Sequence, residues 1–280
     1  MWWLDGETLA TPRAPFDLAD RGLLLGDGVF DTALALDGRI FREGAHVARL
    51  VAAAGALGFR ADPAAIVAAM RAVAAAHPRA AIRTTLTRGS GPRGLRPPAT
   101  PRPTLFAAAA PWNPALAFAG LSLWPQDIRR NETSPASRLK TLGYLDAVLA
   151  AEAAGRAGFD EALFLNTAGR VACAGSGSLF ALVGGTLVTP PLAEGVLAGI
   201  VRAWLLETAP GLGLAVREAP LTPADLAGAE VVLLTNSLRL VAPVRAVGEV
   251  RFASETHPAF AALREALARE CGLDPGMHDG

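Results

Sequence analysis

Residues 20–41 read DRGLLLGDGVFDTALALDGRIF, and the fold turns on how this stretch is taken. Gly26 and Gly28 supply a GxG, but no third glycine stands at dinucleotide-fingerprint spacing, and the pair leads into a strand rather than a helix. A Rossmann reading therefore fails at its first element. Residues 31–41 read instead as a hairpin, with strand residues on either side of Asp37-Gly38, a strong turn pair.

Downstream, residues 44–59 and 63–77 have helical periodicity, and residues 80–89 return to strand. A loop rich in Gly, Pro and Arg (89–103) precedes another strand at 104–110. Beyond a connecting stretch come a strand at 121–125, a polar loop at 126–137 and a helix over 142–158. Strands are expected at 161–166, 170–174, 179–183, 186–190, 214–219 and 231–236, with helices near 198–209 and 258–271. Strands interleaved with helices give an α/β (α+β) protein of two lobes. We place a smaller lobe at 1–112, a linker at 113–122 and a larger lobe at 123–280.

Composition narrows the function. Twenty-six basic residues balance 26 acidic ones, so no net field favours nucleic acid or an anionic membrane. The N-terminal MWWLDGETLATPR lacks the basic start and apolar core of a signal peptide, and Arg71 interrupts the most apolar run. A cytoplasmic protein is expected. Cys173 and Cys271 have no histidine at ligand spacing. His46, His77, His257 and His278 are scattered, and each reads as a surface or capping residue; no metal site is expected. The GSGSL at 175–179 is not a nucleophile elbow, and the only lysine does not lie in a phosphate-binding loop.

That lysine is Lys140, alone beside 25 arginines, and the only tyrosine, Tyr144, follows four residues later. Abundant Ala, Gly, Pro and Arg point to a coding bias under which most surface cations become arginine. A lysine persists where arginine will not serve, since an amine can lose its proton and attack a carbonyl whereas a guanidinium stays protonated. On a helical turn the two residues would share a face. An amine beside a phenol suits pyridoxal phosphate (PLP) held as a Schiff base. From the pair alone, a surface lysine beside a core tyrosine is the simpler reading.

Five blocks in register change that balance: DRGLLLGDGVFDT (20–32), HVARL (46–50), RLKTLGYLDAVLA (138–150), AGFDEALFLNTAGRVA (157–172) and TPPLAEGVLAGIVR (189–202). Together they resemble the class IV aminotransferases, fold-type IV PLP enzymes that include branched-chain and D-amino-acid aminotransferases and aminodeoxychorismate lyase. The resemblance implies the two-lobed D-amino-acid aminotransferase-like fold, PLP in the cleft between the lobes, and a homodimer. It makes Lys140 the catalytic Schiff-base lysine and puts Tyr144 near the phenolic oxygen of the cofactor. Arg49, the backbone of Ile200 and Val201, and Ser237 would hold the phosphate. Val201 replaces the usual threonine, which removes a hydroxyl.

TRGSGPRGL (87–95) and TNSLRLVAPV (235–244) are closer to the lyase than to branched-chain aminotransferases. Arg88, Arg93 and Arg96 are candidates for binding substrate carboxylates. Cys173 stands where the family has a glutamate facing the pyridine nitrogen, and Ser178 where it has asparagine. A thiol supplies no fixed charge there, so the ring is a weaker electron sink. The resemblance then implies a lyase converting 4-amino-4-deoxychorismate to 4-aminobenzoate and pyruvate, in folate precursor synthesis. Its alternatives are an aminotransferase for a D- or branched-chain amino acid, and a non-catalytic PLP-binding protein.

Overall fold

A computed structural model describes residues 1–274, so His278 lies outside the described residues. The chain forms two compact units: one of Met1–Pro114 together with Leu139–Gly143, the other of Ala115–Arg138 and the chain from Tyr144 on. A 3-10 turn (Pro114–Leu116) spans the boundary between the units, and a strand starts at Leu121. Leu139–Gly143, the segment that carries Lys140, belongs with the first unit although the chain around it belongs to the second.

The first unit contains β1 (Trp2–Leu4), β2 (Glu7–Leu9), α1 (Arg21–Leu25), β3 (Gly28–Leu36), β4 (Arg39–Ile40), α2 (Glu43–Ala56), α3 (Pro63–Ala74), β5 (Arg79–Thr87) and β6 (Thr104–Pro111). The strands form an antiparallel sheet in the order β2-β1-β6-β5-β3-β4. The β3–β4 hairpin turns at Asp37 and Gly38, whose φ angles of 47° and 78° are the pair of positive values that a tight hairpin requires. Asp62 caps α3 by accepting from the Ala64 N–H at 2.9 Å, and Pro63 occupies the first turn, where its missing donor costs nothing.

One face of this sheet is closed. Leu50 and Ala54 of α2 and Ile66, Met70 and Val73 of α3 pack on Val29, Ala33, Ala35, Ile82, Leu86 and Leu105. Burial of each large side chain contributes about 1.5–3 kcal/mol. The alanine run of β6 has poor strand propensity, but Ala107 and Ala109 are buried beneath α3 where bulkier residues would hold the helix off. Alternation places Phe30, Thr32, Arg83 and Thr85 on the opposite face.

The second unit contains β7 (Leu121–Pro125), α4 (Pro135–Arg138), α5 (Leu145–Arg156), β8 (Glu161–Leu165), β9 (Val171–Ala174), β10 (Ser178–Val183), β11 (Thr186–Thr189), α6 (Ile200–Thr208), β12 (Ala215–Glu218), α7 (Pro223–Ala227), β13 (Val231–Asn236), β14 (Leu240–Val247), β15 (Val250–Arg251) and α8 (Pro258–Cys271). Its sheet runs β12-β11-β10-β13-β14-β7-β8-β9, with β15 on β14; the β11–β12, β14–β7 and β7–β8 pairs are parallel. His257 caps α8, its Nδ1 accepting from the Ala259 N–H at 3.1 Å. Helix α6 packs on β13 and α8 on β14. No helix among the described residues is long and apolar enough to cross a membrane.

Candidate active site

Lys140 is not on a helix. The Phe30 N–H donates to the Lys140 carbonyl at 2.9 Å, the Leu142 N–H donates to the Gly28 carbonyl at 3.1 Å, and Thr141 bridges Val29. The expected helical turn shared with Tyr144 is therefore overturned. Residues 140–142 take their hydrogen bonds from β3, and α5 begins only at Leu145, with half-buried Tyr144 as its N-cap. Gly28 makes the approach possible: a Cβ there would stand 2.8 Å from the Leu142 side chain and 2.7 Å from the Leu86 carbonyl oxygen. The GDG motif thus lets a second chain segment lie against the strand.

The Lys140 Nζ lies 4.4 Å from the centroid of the Phe30 ring, and the Arg83 guanidinium carbon lies 3.6 Å from the same centroid. Arg83 was not singled out from the sequence. Its only signal was its place in β5, paired with Thr32 and so diagonal to Phe30 on one face.

On the helix-covered side, Asp31 receives three hydrogen bonds. Arg49 donates from Nε and Nη2 to its two oxygens, each at 2.8 Å, and His46 Nδ1 lies 2.7 Å from Oδ1. Burial pushes the Asp31 carboxyl up, but the bond to His46 and the charge and bonds of Arg49 outweigh it and hold the pKa at about 2. His46 is not the expected surface residue: it is fully buried, and its Nε2 has no partner among the described residues.

Arg88 is also buried. Its Nε donates to Asp27 at 2.7 Å, its Nη2 to the Leu57 carbonyl at 2.6 Å and its Nη1 to the Gly58 carbonyl at 3.4 Å. These bonds tie β5 to the end of α2, which gives the guanidinium an internal task in place of the expected substrate contact. The same Asp27 oxygen accepts from Arg21 Nε at 2.8 Å, and Arg21 reaches the Gly94 and Leu95 carbonyls at 3.0 and 2.9 Å. A buried arginine thus anchors the loop on which Arg93 and Arg96 lie exposed.

In the second unit, helix α6 has Gly199 as its N-cap, so no side chain among the described residues caps its first-turn N–H groups, those of buried Ile200 and Val201 among them. A Cβ on Gly199 would stand 3.0 Å from Ser178 Oγ. Ser178 pairs across the sheet with Thr235, and both are buried; Thr235 Oγ1 has no partner among the described residues. Two residues on, half-buried Ser237 lies in a turn that Asn236 holds by accepting the Leu238 and Arg239 N–H groups at 3.0 and 2.7 Å.

Cys173 lies on β9 opposite Phe164. The guanidinium carbon of Arg130 sits 4.2 Å from the Phe164 ring centroid. Burial pushes the Cys173 thiol up, and the Glu161 charge adds to it, while the charge of Arg130 and a hydrogen bond to it pull the other way without prevailing. The carboxylate of the neighbouring Glu161 is occupied by the Ser176 hydroxyl and by the Ala162 N–H at 2.9 Å.

The family profile for amino-transferase class IV matches residues 28–247. The chain belongs to the class IV aminotransferase family. Members of this family are PLP-dependent enzymes. Among its relatives, a provisionally named branched-chain-amino-acid aminotransferase of Methanocaldococcus jannaschii is 34% identical over 86% of each chain. The aminodeoxychorismate lyase of Bacillus subtilis is 26% identical, covering 96% of this chain and 94% of its own. The crystal structure of 4-amino-4-deoxychorismate lyase from Pseudomonas aeruginosa superposes with a TM-score of 0.85 at 31% identity, over 96% of this chain and 98% of that one.

Each unit of this class IV family member, taken by itself, carries donors of a kind that suits PLP. The first offers one amine, held to β3 through its own backbone. The second offers a helix start with no side-chain cap and, on the adjoining strand, a buried hydroxyl with no partner among the described residues, a combination suited to a phosphate.

Proposed function

We propose that the protein is a PLP-dependent lyase that converts 4-amino-4-deoxychorismate to 4-aminobenzoate and pyruvate. Bound PLP supplies a reactive carbonyl and an electron-withdrawing ring. Lys140 would be the amine that holds it and, when free, the base that takes the proton from the amine-bearing ring carbon of the substrate. Loss of the enolpyruvyl oxygen from the adjacent carbon leaves an aromatic ring, so no oxidant is consumed. Tyr144 would lie beside the phenolic oxygen of the cofactor. Arg49, the amides of Ile200 and Val201 and the Ser237 hydroxyl hold its phosphate. Arg83, which shares the Phe30 ring with Lys140, and loop residues Arg93 and Arg96 are the cations available to substrate carboxylates.

The observation that carries the lyase reading is Cys173 beside Arg130, at the position that the family resemblance matches to the ring-facing glutamate. A thiol shifted up and a guanidinium supply no negative charge to keep the ring nitrogen protonated. That suits an elimination in which aromatisation drives the reaction better than a transamination that relies on the ring. An aminotransferase acting on a branched-chain or D-amino acid is the second reading, favoured by the M. jannaschii relative. Comparing lyase and transaminase rates before and after Cys173→Glu decides between them. The lyase reading expects transaminase activity to rise more than lyase activity, and an unchanged ratio would remove the argument.

The reading includes a cytoplasmic homodimer. Its support is apolar surface on each unit: Leu18, Leu23 and Leu24 are exposed by 76%, 59% and 61%, and Leu145 and Val148 of α5 by 68% and 60%.

A further inference from the structure

We infer that Asp31 is a positioning residue that orients the Arg49 guanidinium toward the phosphate of the cofactor and sets its place relative to Lys140. The inference rests on the reading of Arg49 as a phosphate ligand.

The geometry is a fork on a fork. Arg49 gives Nε and Nη2 to the two Asp31 oxygens at 2.8 Å each, which fixes the plane of the guanidinium as well as its location. His46, three residues earlier on α2, grips the same carboxylate at 2.7 Å, so Asp31 cannot turn without losing both partners. Asp31 is only 1% exposed, while the Arg49 side chain retains 13% exposure. The carboxylate is thus the buried base of the arrangement, and the guanidinium is its partly open end.

A buried ion pair seldom stabilises a fold more than apolar residues of equal volume, so stability alone is a weak reason for this triad in a layer whose other residues are mostly apolar. The neighbours of Asp31 supply a better one. The Phe30 N–H holds the Lys140 carbonyl, and Val29 bridges Thr141. Four consecutive residues of β3 therefore fix the backbone that carries the amine and, through Asp31, the plane of the cation. Errors of about an ångström at a reacting centre are costly, and one short rigid strand reduces them.

The test compares PLP with pyridoxal, which lacks the phosphate, by titrating the full-length apoprotein and following absorbance and tryptophan fluorescence. Asp31→Asn keeps the shape and removes the charge. It is expected to weaken PLP about tenfold or more, the scale of one charge-assisted hydrogen bond, and to change pyridoxal binding less than about twofold. Arg49→Gln should show the same selectivity, and adding Asp31→Asn to it should have no further effect on PLP. If Asp31→Asn does not fold, Asp31→Glu, which keeps the charge but shifts the fork by one methylene, should show the selective loss.

Equal weakening of both ligands by the Asp31 variants would make Asp31 merely structural and overturn the proposal, as would no weakening of either. If Arg49→Gln itself fails to discriminate PLP from pyridoxal, the reading of Arg49 falls first and the proposal with it. The two failures are therefore distinguishable.

Discussion

Replacing Asp31 with asparagine should also have a defined effect on stability. The carboxyl sits at about 2 against an ordinary 3.8, because the bonds from His46 and Arg49 outweigh its burial. A group held below its unfolded value stabilises the fold fully above the unfolded pKa and loses that contribution as pH falls toward the folded one. Those two values give about 2 kcal/mol at pH 5 and above, about 1 kcal/mol at pH 3 and nearly none well below pH 2. Asparagine removes this contribution and leaves a cation and an imidazole facing a neutral amide, so a loss of about 2–4 kcal/mol is expected at pH 7. Urea unfolding of both proteins, followed by far-UV circular dichroism at pH 7, 5 and 3, measures it. The gap between wild type and variant should narrow by about 1 kcal/mol from pH 5 to pH 3. A gap below about 1 kcal/mol at pH 7, or one that does not change with pH, would refute the reasoning.

Thr235→Val removes a hydroxyl that has no partner among the described residues; it should leave the apoprotein as stable as before, or up to about 1 kcal/mol more so, while weakening PLP. Thermal unfolding of the apoprotein and a PLP titration check the two signs, and a loss of apoprotein stability would show that the hydroxyl serves the fold. Arg88→Met leaves Asp27 with one cation fewer and the Leu57 carbonyl without its donor, at a cost of about 3–5 kcal/mol. Steady-state kinetics at a permissive temperature should show an unchanged KM; a large rise in KM with unchanged stability would return Arg88 to the substrate.

Periodicity and turn chemistry were enough for most elements, because α2, α3, α6 and α8 bury one stripe each and the Asp37-Gly38 turn admits little else. Strand β14 was seen only as a motif, since Pro243 argues against a central strand. The structure accommodates it because pairing with β7 begins one residue later, at Val244, and is then broken by an irregularity before Ala246. Strands β1 and β2 are three residues each, too short for any pattern to register.

At the site, the uniqueness of Lys140 was legible, but its conformation was not. The spacing to Tyr144 mimics a helical turn, and only the long-range pairing of residues 140–142 with β3 shows otherwise. Arg83, Asp31, His46 and Thr235 act through cross-strand and strand-to-helix neighbours, which no local window contains. Arg88 misled for the same reason: a loop arginine and a buried one look alike until Asp27 and the Leu57 carbonyl are found around it.

The central claim is tested most directly by pyruvate release from 4-amino-4-deoxychorismate by the purified, PLP-loaded protein, with no keto-acid acceptor present and Lys140→Ala as control. Catalytic pyruvate and 4-aminobenzoate are expected in equal amounts, absent in the control. A protein that holds PLP on Lys140, fixed there by borohydride, yet releases no pyruvate would contradict it and leave the aminotransferase reading in its place.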